Sequence, residues 1–91
     1  MSQLWGHQED YRLYLEYNQG NLKAGTILYQ KSYNVVCRYA YKFTRGSILS
    51  IHDIEEIISQ AIFVAFSKSN KFSGKSLFST WVCGIVRYKV L

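Results

Sequence analysis

Hydrophobic positions recur at helical spacing in four segments of the chain. The clearest stripe repeats at i, i+3, i+4, i+7, i+8, i+11 and i+12, and its members are Ile54, Ile57, Ile58, Ala61, Ile62, Ala65 and Phe66. This spacing is typical of one face of an amphipathic helix. Asp53, Glu55 and Glu56 stand in its first turn, where acidic groups complement the positive end of the helix dipole.

Two further stripes precede this helix. Tyrosine and leucine residues predict a short helix over residues 8–18, and a longer helix is predicted from Asn21 to about Thr44. Asn21 is a plausible N-cap of the longer helix, and Gly46 is a plausible left-handed stop after it. Gly25 costs that helix about 1 kcal/mol relative to alanine, so we expect its first turns to be loose.

A fourth stripe predicts a last helix from about Ser76, and its pattern still runs at Leu91. The sequence has no proline, no internal repeat and no low-complexity tract. We therefore expect an all-α fold, a compact bundle of about four helices in one domain over residues 1–91. Residues 1–17 form its N-terminal helix and residues 18–91 carry the motifs. Because the pattern does not stop, we expect the chain to be a fragment of a longer protein.

Composition narrows the class of protein. The longest apolar run, residues 61–66, is far shorter than the roughly 20 residues that span a bilayer, and residues 1–10 lack the features of a signal peptide. We expect a cytoplasmic protein with no membrane contact. Cys37 and Cys83 lie far apart in apolar patterns, which favours buried, reduced thiols. His7 and His52 are isolated, so we expect no metal and no cofactor.

The net charge of +5 is unevenly distributed along the chain. Residues 17–52 and 57–91 each carry +5 without any acid, while the acidic cluster of residues 53–56 carries −3 between them. A basic surface of this size favours polyanions, above all nucleic acid. A solvated lysine face explains the charge equally well, so charge alone leaves both interpretations open.

Candidate chemistry favours binding over catalysis. Gly74-Lys75-Ser76 lacks the earlier glycine of a phosphate-binding loop, and no nucleophile or acid–base pair can be placed, so we expect no enzyme. Residues 68–89 interleave basic and aromatic side chains, a composition typical of single-strand binding. The pattern favours Phe78 and Trp81 as core residues. It leaves open whether Phe72 and Tyr88 stack on bases, and whether Phe63, off the stripe, packs on this chain or on a partner.

Three ordered motifs resemble region 2 of bacterial RNA polymerase sigma factors, most closely the extracytoplasmic-function type. They are Asp53-Ile-Glu-Glu-Ile-Ile-Ser-Gln-Ala-Ile-Phe-Val-Ala-Phe66, then Lys71-Phe72, then Phe78-Ser-Thr-Trp-Val-Cys-Gly-Ile-Val-Arg87. The family reads Asp-Ala-Glu-Asp-Leu-x-Gln-Glu-x-Phe, a loop ending in Phe, and Phe-x-x-Trp-Leu-x-x-Ile-Ala-x-Asn. Upstream, Gly20-Asn-Leu-Lys-Ala24 and Leu28-Tyr29 are similar to its opening, so the resemblance covers about residues 18–91.

The resemblance implies a helical module that binds the clamp helices of the beta-prime subunit of core RNA polymerase. It also implies recognition and melting of the minus-ten promoter element by capture of its non-template strand. By position, the polymerase-binding residues would be Asp53, Glu55, Glu56, Ile57, Gln60 and Phe63. The DNA-binding residues would be Lys68, Asn70, Lys71, Phe72, Lys75, Trp81, Arg87, Tyr88 and Lys89.

This chain departs from the family pattern at three positions. Ser59 stands for the family's glutamine, Gln60 for its glutamate and Tyr88 for its asparagine. These departures support an alternative, a sigma-like regulatory module that binds polymerase or an anti-sigma factor without melting DNA. A general helical interaction domain with a lysine-rich face is a second alternative.

Overall fold

The computed structural model describes residues 2–67 and 72–91, with side chains from residue 7 onward. Four helices make up the fold: α1 (Ser2–Asn18), α2 (Leu22–Phe43), α3 (Ile51–Ser67) and α4 (Phe78–Val90). No strand occurs in the described ranges, so the predicted all-α bundle is confirmed. Within the same ranges, no helix combines the length and the apolar character that crossing a membrane requires.

The core forms where α2 and α4 pack together, with α1 covering α2 and α3 covering α4. Four of the seven residues in the predicted stripe of α3 are buried in this core, namely Ile54, Ile58, Ala61 and Ala65. The other three, Ile57, Ile62 and Phe66, are half-buried at its margin. Ala40 of α2 and Ala61 and Ala65 of α3 are fully buried. Such small side chains allow close packing of neighbouring helices, while the larger aromatic residues fill the rest of the core.

The boundaries of α2 follow the local signals of the sequence. Asn21 precedes the helix, and its side-chain oxygen accepts a hydrogen bond from the Ala24 amide at 3.2 Å. Gly46, with a φ of 81°, lies in the left-handed region beyond the other end of the helix. The expected loosening at Gly25 is absent, because this glycine is buried in the continuous helix against the ring of Tyr17.

The start of α3 is held by a reciprocal pair of hydrogen bonds. The Ser50 hydroxyl accepts from the Asp53 amide at 3.1 Å, and the Asp53 carboxylate accepts from the Ser50 amide at 3.0 Å. This arrangement is a capping box, which satisfies amide groups that have no partner within the helix. Asp53 therefore has a structural role that is independent of any partner.

The start of α4 is capped by a residue that lies 68 positions earlier in the chain. No side chain near Leu77 caps this helix, and the Phe78 amide instead donates to the Asp10 carboxylate of α1 at 2.8 Å. Lys31 of α2 donates to the other oxygen of Asp10 at 2.8 Å and to Glu9 at 3.2 Å. Burial acts to lower the pKa of Lys31, but its bonds to both carboxylates outweigh that effect and hold the pKa above its ordinary value.

An aromatic cluster fills the end of the bundle between α1 and α4. The ring of Phe72 lies 5.3 Å from each of the rings of Tyr14, Phe78 and Trp81. Phe72 is only 3% exposed, so its ring belongs to the core. The proposed base-stacking role of Phe72 does not fit this position, because the neighbouring rings already cover it.

Candidate interaction surfaces

The outer face of α3 brings together five of the six residues predicted to bind polymerase. Asp53, Glu56, Ile57 and Gln60 line a shallow groove with Leu49, and Phe63 lies one turn beyond Gln60 along the same face. Ile57 is half-buried, and the Gln60 amide donates to the Glu56 carboxylate at 3.3 Å. Phe63 is 71% exposed, which answers the question left by its pattern: it does not pack on the described part of this chain.

Glu55 lies on a different side of α3 from Glu56. Its charge acts on Tyr33 of α2, whose pKa is raised mainly by a hydrogen bond with Cys37 and further by nearby charges that include Glu55. Successive residues of a helix are about 100° apart, so the two glutamates face different neighbours. The structure therefore separates Glu55 from the other predicted polymerase-binding residues.

A groove runs between the outer faces of α3 and α4, and we refer to it as the α3–α4 groove. Its two halves share Val64 and Lys89. The lining residues are Glu56, Ser59, Gln60, Phe63, Val64, Trp81, Gly84, Ile85, Tyr88 and Lys89. The groove is mostly apolar, and its one acid, Glu56 of α3, lines the same half as its one cation, Lys89 of α4. No atom lies within 4 Å of the place that a side chain at Gly84 would take, so the groove is open there.

The predicted DNA-binding residues of α4 spread around the helix instead of sharing one face. Lys89 lines the α3–α4 groove together with Phe63 and Gln60, which were assigned to polymerase. Tyr88 is 81% exposed in the same groove, next to the half-buried Trp81. Arg87 points to the other side, and its guanidinium lies over the Phe43 ring of α2 at 6.0 Å.

The loop before α4 holds the rest of the predicted DNA-binding set. Lys68, Asn70 and Lys71 lie outside the described residues. Lys75 is exposed. Phe72, as described above, is buried, so none of the described loop residues offers a free ring for a base.

Three residues that line the α3–α4 groove were not among the residues predicted to bind a partner. They are Val64, Gly84 and Ile85. Val64 lies one residue from Phe63, and Gly84 lies three residues after Trp81. Residues three and four apart on a helix share a face, which is a signal that could have found Gly84 and Ile85 from Trp81. No sequence pattern within α4 indicates that α3 forms the opposite wall of the groove.

The two cysteines lie in the core or pack against it. Cys83 is buried, its pKa is raised by burial, and Cys37 is half-buried. Both are free thiols. In the described ranges no three His, Cys, Asp or Glu side chains come close enough to hold a metal ion.

Comparisons with protein families, with curated proteins and with solved structures find no match for this chain.

Proposed function

We propose that this chain is a sigma factor region 2-like module, which binds core RNA polymerase through α3 and the melted non-template strand of a promoter through α4. The observation that carries the proposal is the exposure of Phe63 on the outer face of α3, beside Glu56 and Gln60. A large aromatic side chain that is 71% exposed on a polar helix face is typical of an interface anchor. The acid beside it suits a basic coiled coil.

The α4 side of the groove supports the DNA contact. Tyr88 is 81% exposed, and Lys89 lies beside it in the groove. An exposed ring next to a cation can stack on a base and hold its phosphate, and one stacked base contributes about 1–3 kcal/mol. With Phe72 buried, Tyr88 is the ring that we assign to the strand.

The polymerase contact is tested by capture of nucleic-acid-free bacterial core RNA polymerase with the immobilised chain. Phe63→Ala and Glu56→Lys should each lower the captured amount about tenfold, because each removes a central contact. Glu55→Lys is the matched control, since it makes the same charge change at the neighbouring position on another side of α3. It should stay within about twofold. No capture by the folded native chain, or equal losses in both lysine variants, would refute the contact.

The strand contact is tested by fluorescence anisotropy with TA-rich single strands. We expect the non-template strand to bind more tightly than its complement, and Tyr88→Ala to weaken that binding about tenfold. Tyr29→Ala on α2, which also removes a partly exposed ring, should leave it unchanged. Gly84→Leu should block the groove, and because leucine favours a helix more than glycine does, the variant should remain folded.

The buried position of Phe72 favours a second candidate function. In this alternative, the chain is a sigma-like regulatory module that binds polymerase or an anti-sigma factor without melting DNA. The predicted pocket loop then lacks its stacking ring. Capture of polymerase together with equal affinity for both single strands would support this candidate over the first.

A further inference from the structure

A second basic surface lies at the carboxyl-terminal end of α2, away from the α3–α4 groove. Arg38, Lys42 and Arg45 line it at positions i, i+4 and i+7, and Asn34 and Tyr41 line it as neutral hydrogen-bond donors. We refer to it as the α2 groove. All five side chains are exposed. None of the residues that line this groove is acidic.

The three cations form no ion pair with the residues that the structure describes. The ion pairs in the described ranges are those of Arg12 and Lys31 with acids of α1. Like charges four residues apart on a helix repel each other, so the spacing of Arg38 and Lys42 costs stability. The helix dipole favours cations only in the last turn, which explains Lys42 but not Arg38 or Arg45. An external anion accounts for all three.

Two of the rings at the α2 groove are engaged with each other, whereas Tyr41 is exposed. Tyr39 and Phe43 stack with their centroids 5.5 Å apart and their planes 9° apart. The Arg87 guanidinium lies over the Phe43 ring and adds a further cation next to the groove. The site therefore offers cations and neutral donors for phosphates, with fewer free ring faces for bases than a single strand requires.

We propose that the α2 groove binds the phosphate backbone of duplex DNA without reading its sequence. Arg38 and Lys42 lie about 6 Å apart along the axis of α2, at about 1.5 Å per residue, and Arg45 follows in the turn after Phe43. Each strand of duplex DNA presents a regular row of phosphates, which a row of three cations can contact. The inference goes beyond the proposed function, since it requires neither polymerase nor a melted strand.

The test measures the affinity of the full chain for a labelled duplex of about 20 base pairs and arbitrary sequence, over a series of salt concentrations. The variant Arg38→Gln/Lys42→Gln/Arg45→Gln removes three positive charges from the groove. The control Gln19→Glu/Lys23→Glu makes the same change in net charge at the opposite end of α2, where both side chains are exposed. Circular dichroism verifies that both variants are folded.

We expect the groove variant to bind the duplex at least tenfold more weakly at about 0.1 M salt, and its salt slope to fall by about 2.7, or 0.9 per lost phosphate contact. The control should lose less than about threefold. Equal losses in the two variants, or an unchanged groove variant, would overturn the proposal. So would a groove variant that loses only single-strand affinity, or only affinity for anionic phospholipid vesicles. Duplex binding through the groove without strand preference or polymerase capture would instead refute the proposed function and leave this inference intact.

Discussion

The first turns of α3 and α4 receive their hydrogen-bond partners from opposite sources. The start of α3 is capped by Ser50 and Asp53, which lie three residues apart and bond reciprocally at 3.1 and 3.0 Å. The start of α4 is capped by Asp10, whose carboxylate reaches the Phe78 amide at 2.8 Å from another helix. One cap forms as soon as the helix forms, whereas the other exists only after α1 has docked.

This difference determines what each cap stabilises. A local cap stabilises its own helix, and it contributes about 1 kcal/mol. A cap from another helix also joins the two helices. Because Asp10 is 3% exposed, its loss leaves the buried Phe78 amide without its acceptor and removes one of the two acids that bond Lys31. The long-range cap should therefore matter more for the fold.

The largest effect is expected for Asp10→Ala, which should lower the free energy of unfolding by about 3 kcal/mol. The substitution removes the partner of both the Phe78 amide and the Lys31 ammonium group. Urea denaturation followed by circular dichroism measures the change. Glu9→Ala removes the exposed neighbour that also bonds Lys31, and it should cost less than about 1 kcal/mol.

Asp10→Asn sharpens the interpretation, because the amide oxygen can still accept from Phe78 while the ionic bond to Lys31 is lost. Its cost should lie between those of Glu9→Ala and Asp10→Ala. If the asparagine and alanine variants were equally unstable, the hydrogen bond to α4 would contribute nothing, and the long-range cap would have no energetic role.

Gly25→Ala tests a second place where tertiary contact opposes a local rule. Helix propensity alone predicts a gain of about 1 kcal/mol. The added methyl group would lie 2.4 Å from Cδ1 of Tyr17, a ring that packs edge-on against Phe66 at 5.2 Å. We expect a net loss of about 1–2 kcal/mol in thermal denaturation. Gly25→Ala/Tyr17→Leu, which relieves the crowding, should regain part of the loss, and a stabilised single variant would contradict this explanation.

Ser50→Ala should cost about 1 kcal/mol, since it removes only the local cap of α3. Ser50→Asp retains an acceptor at the same position and should cost much less. Denaturation midpoints of the two variants measure the difference. A loss as large as that of Asp10→Ala would show that the two caps do not differ in the way proposed.

The smallest effect is expected in how the free energy of unfolding depends on pH. The pKa of Lys31 is raised in the folded protein above its ordinary value of 10.5, so folding favours its protonated form. Its contribution is complete below pH 10.5 and is lost as the pH rises through the raised pKa. Because the side chain is 37% exposed, we expect less than about 1 kcal/mol. The difference in unfolding free energy between the native chain and Lys31→Gln should therefore shrink between pH 8 and pH 11.5, and a constant difference would contradict the assignment.

The candidate site was predictable to the extent that it lies on one helix. Helical spacing places Glu56, Gln60 and Phe63 along the outer face of α3, where the structure has them. Helical spacing also places Glu55 and Glu56 on different sides of α3, but that Glu55 lies near Tyr33 depends on the packing of α2 on α3. Likewise, Arg87 is a neighbour of Lys89 in the sequence, but its contact with Phe43 depends on how α2 and α4 meet.

The sequence by itself determined the order of the helices, the cap at Asn21 and the buried positions of the α3 stripe, because these depend on residues within one or two turns of each other. The start of α1 was predicted at residue 8, whereas the helix begins at Ser2. The tertiary structure alone decided that Asp10 caps α4, that Phe72 is core and that Arg87 lies over the Phe43 ring. Each of these features requires side chains from distant segments to meet, and the geometry of that meeting follows from packing in three dimensions.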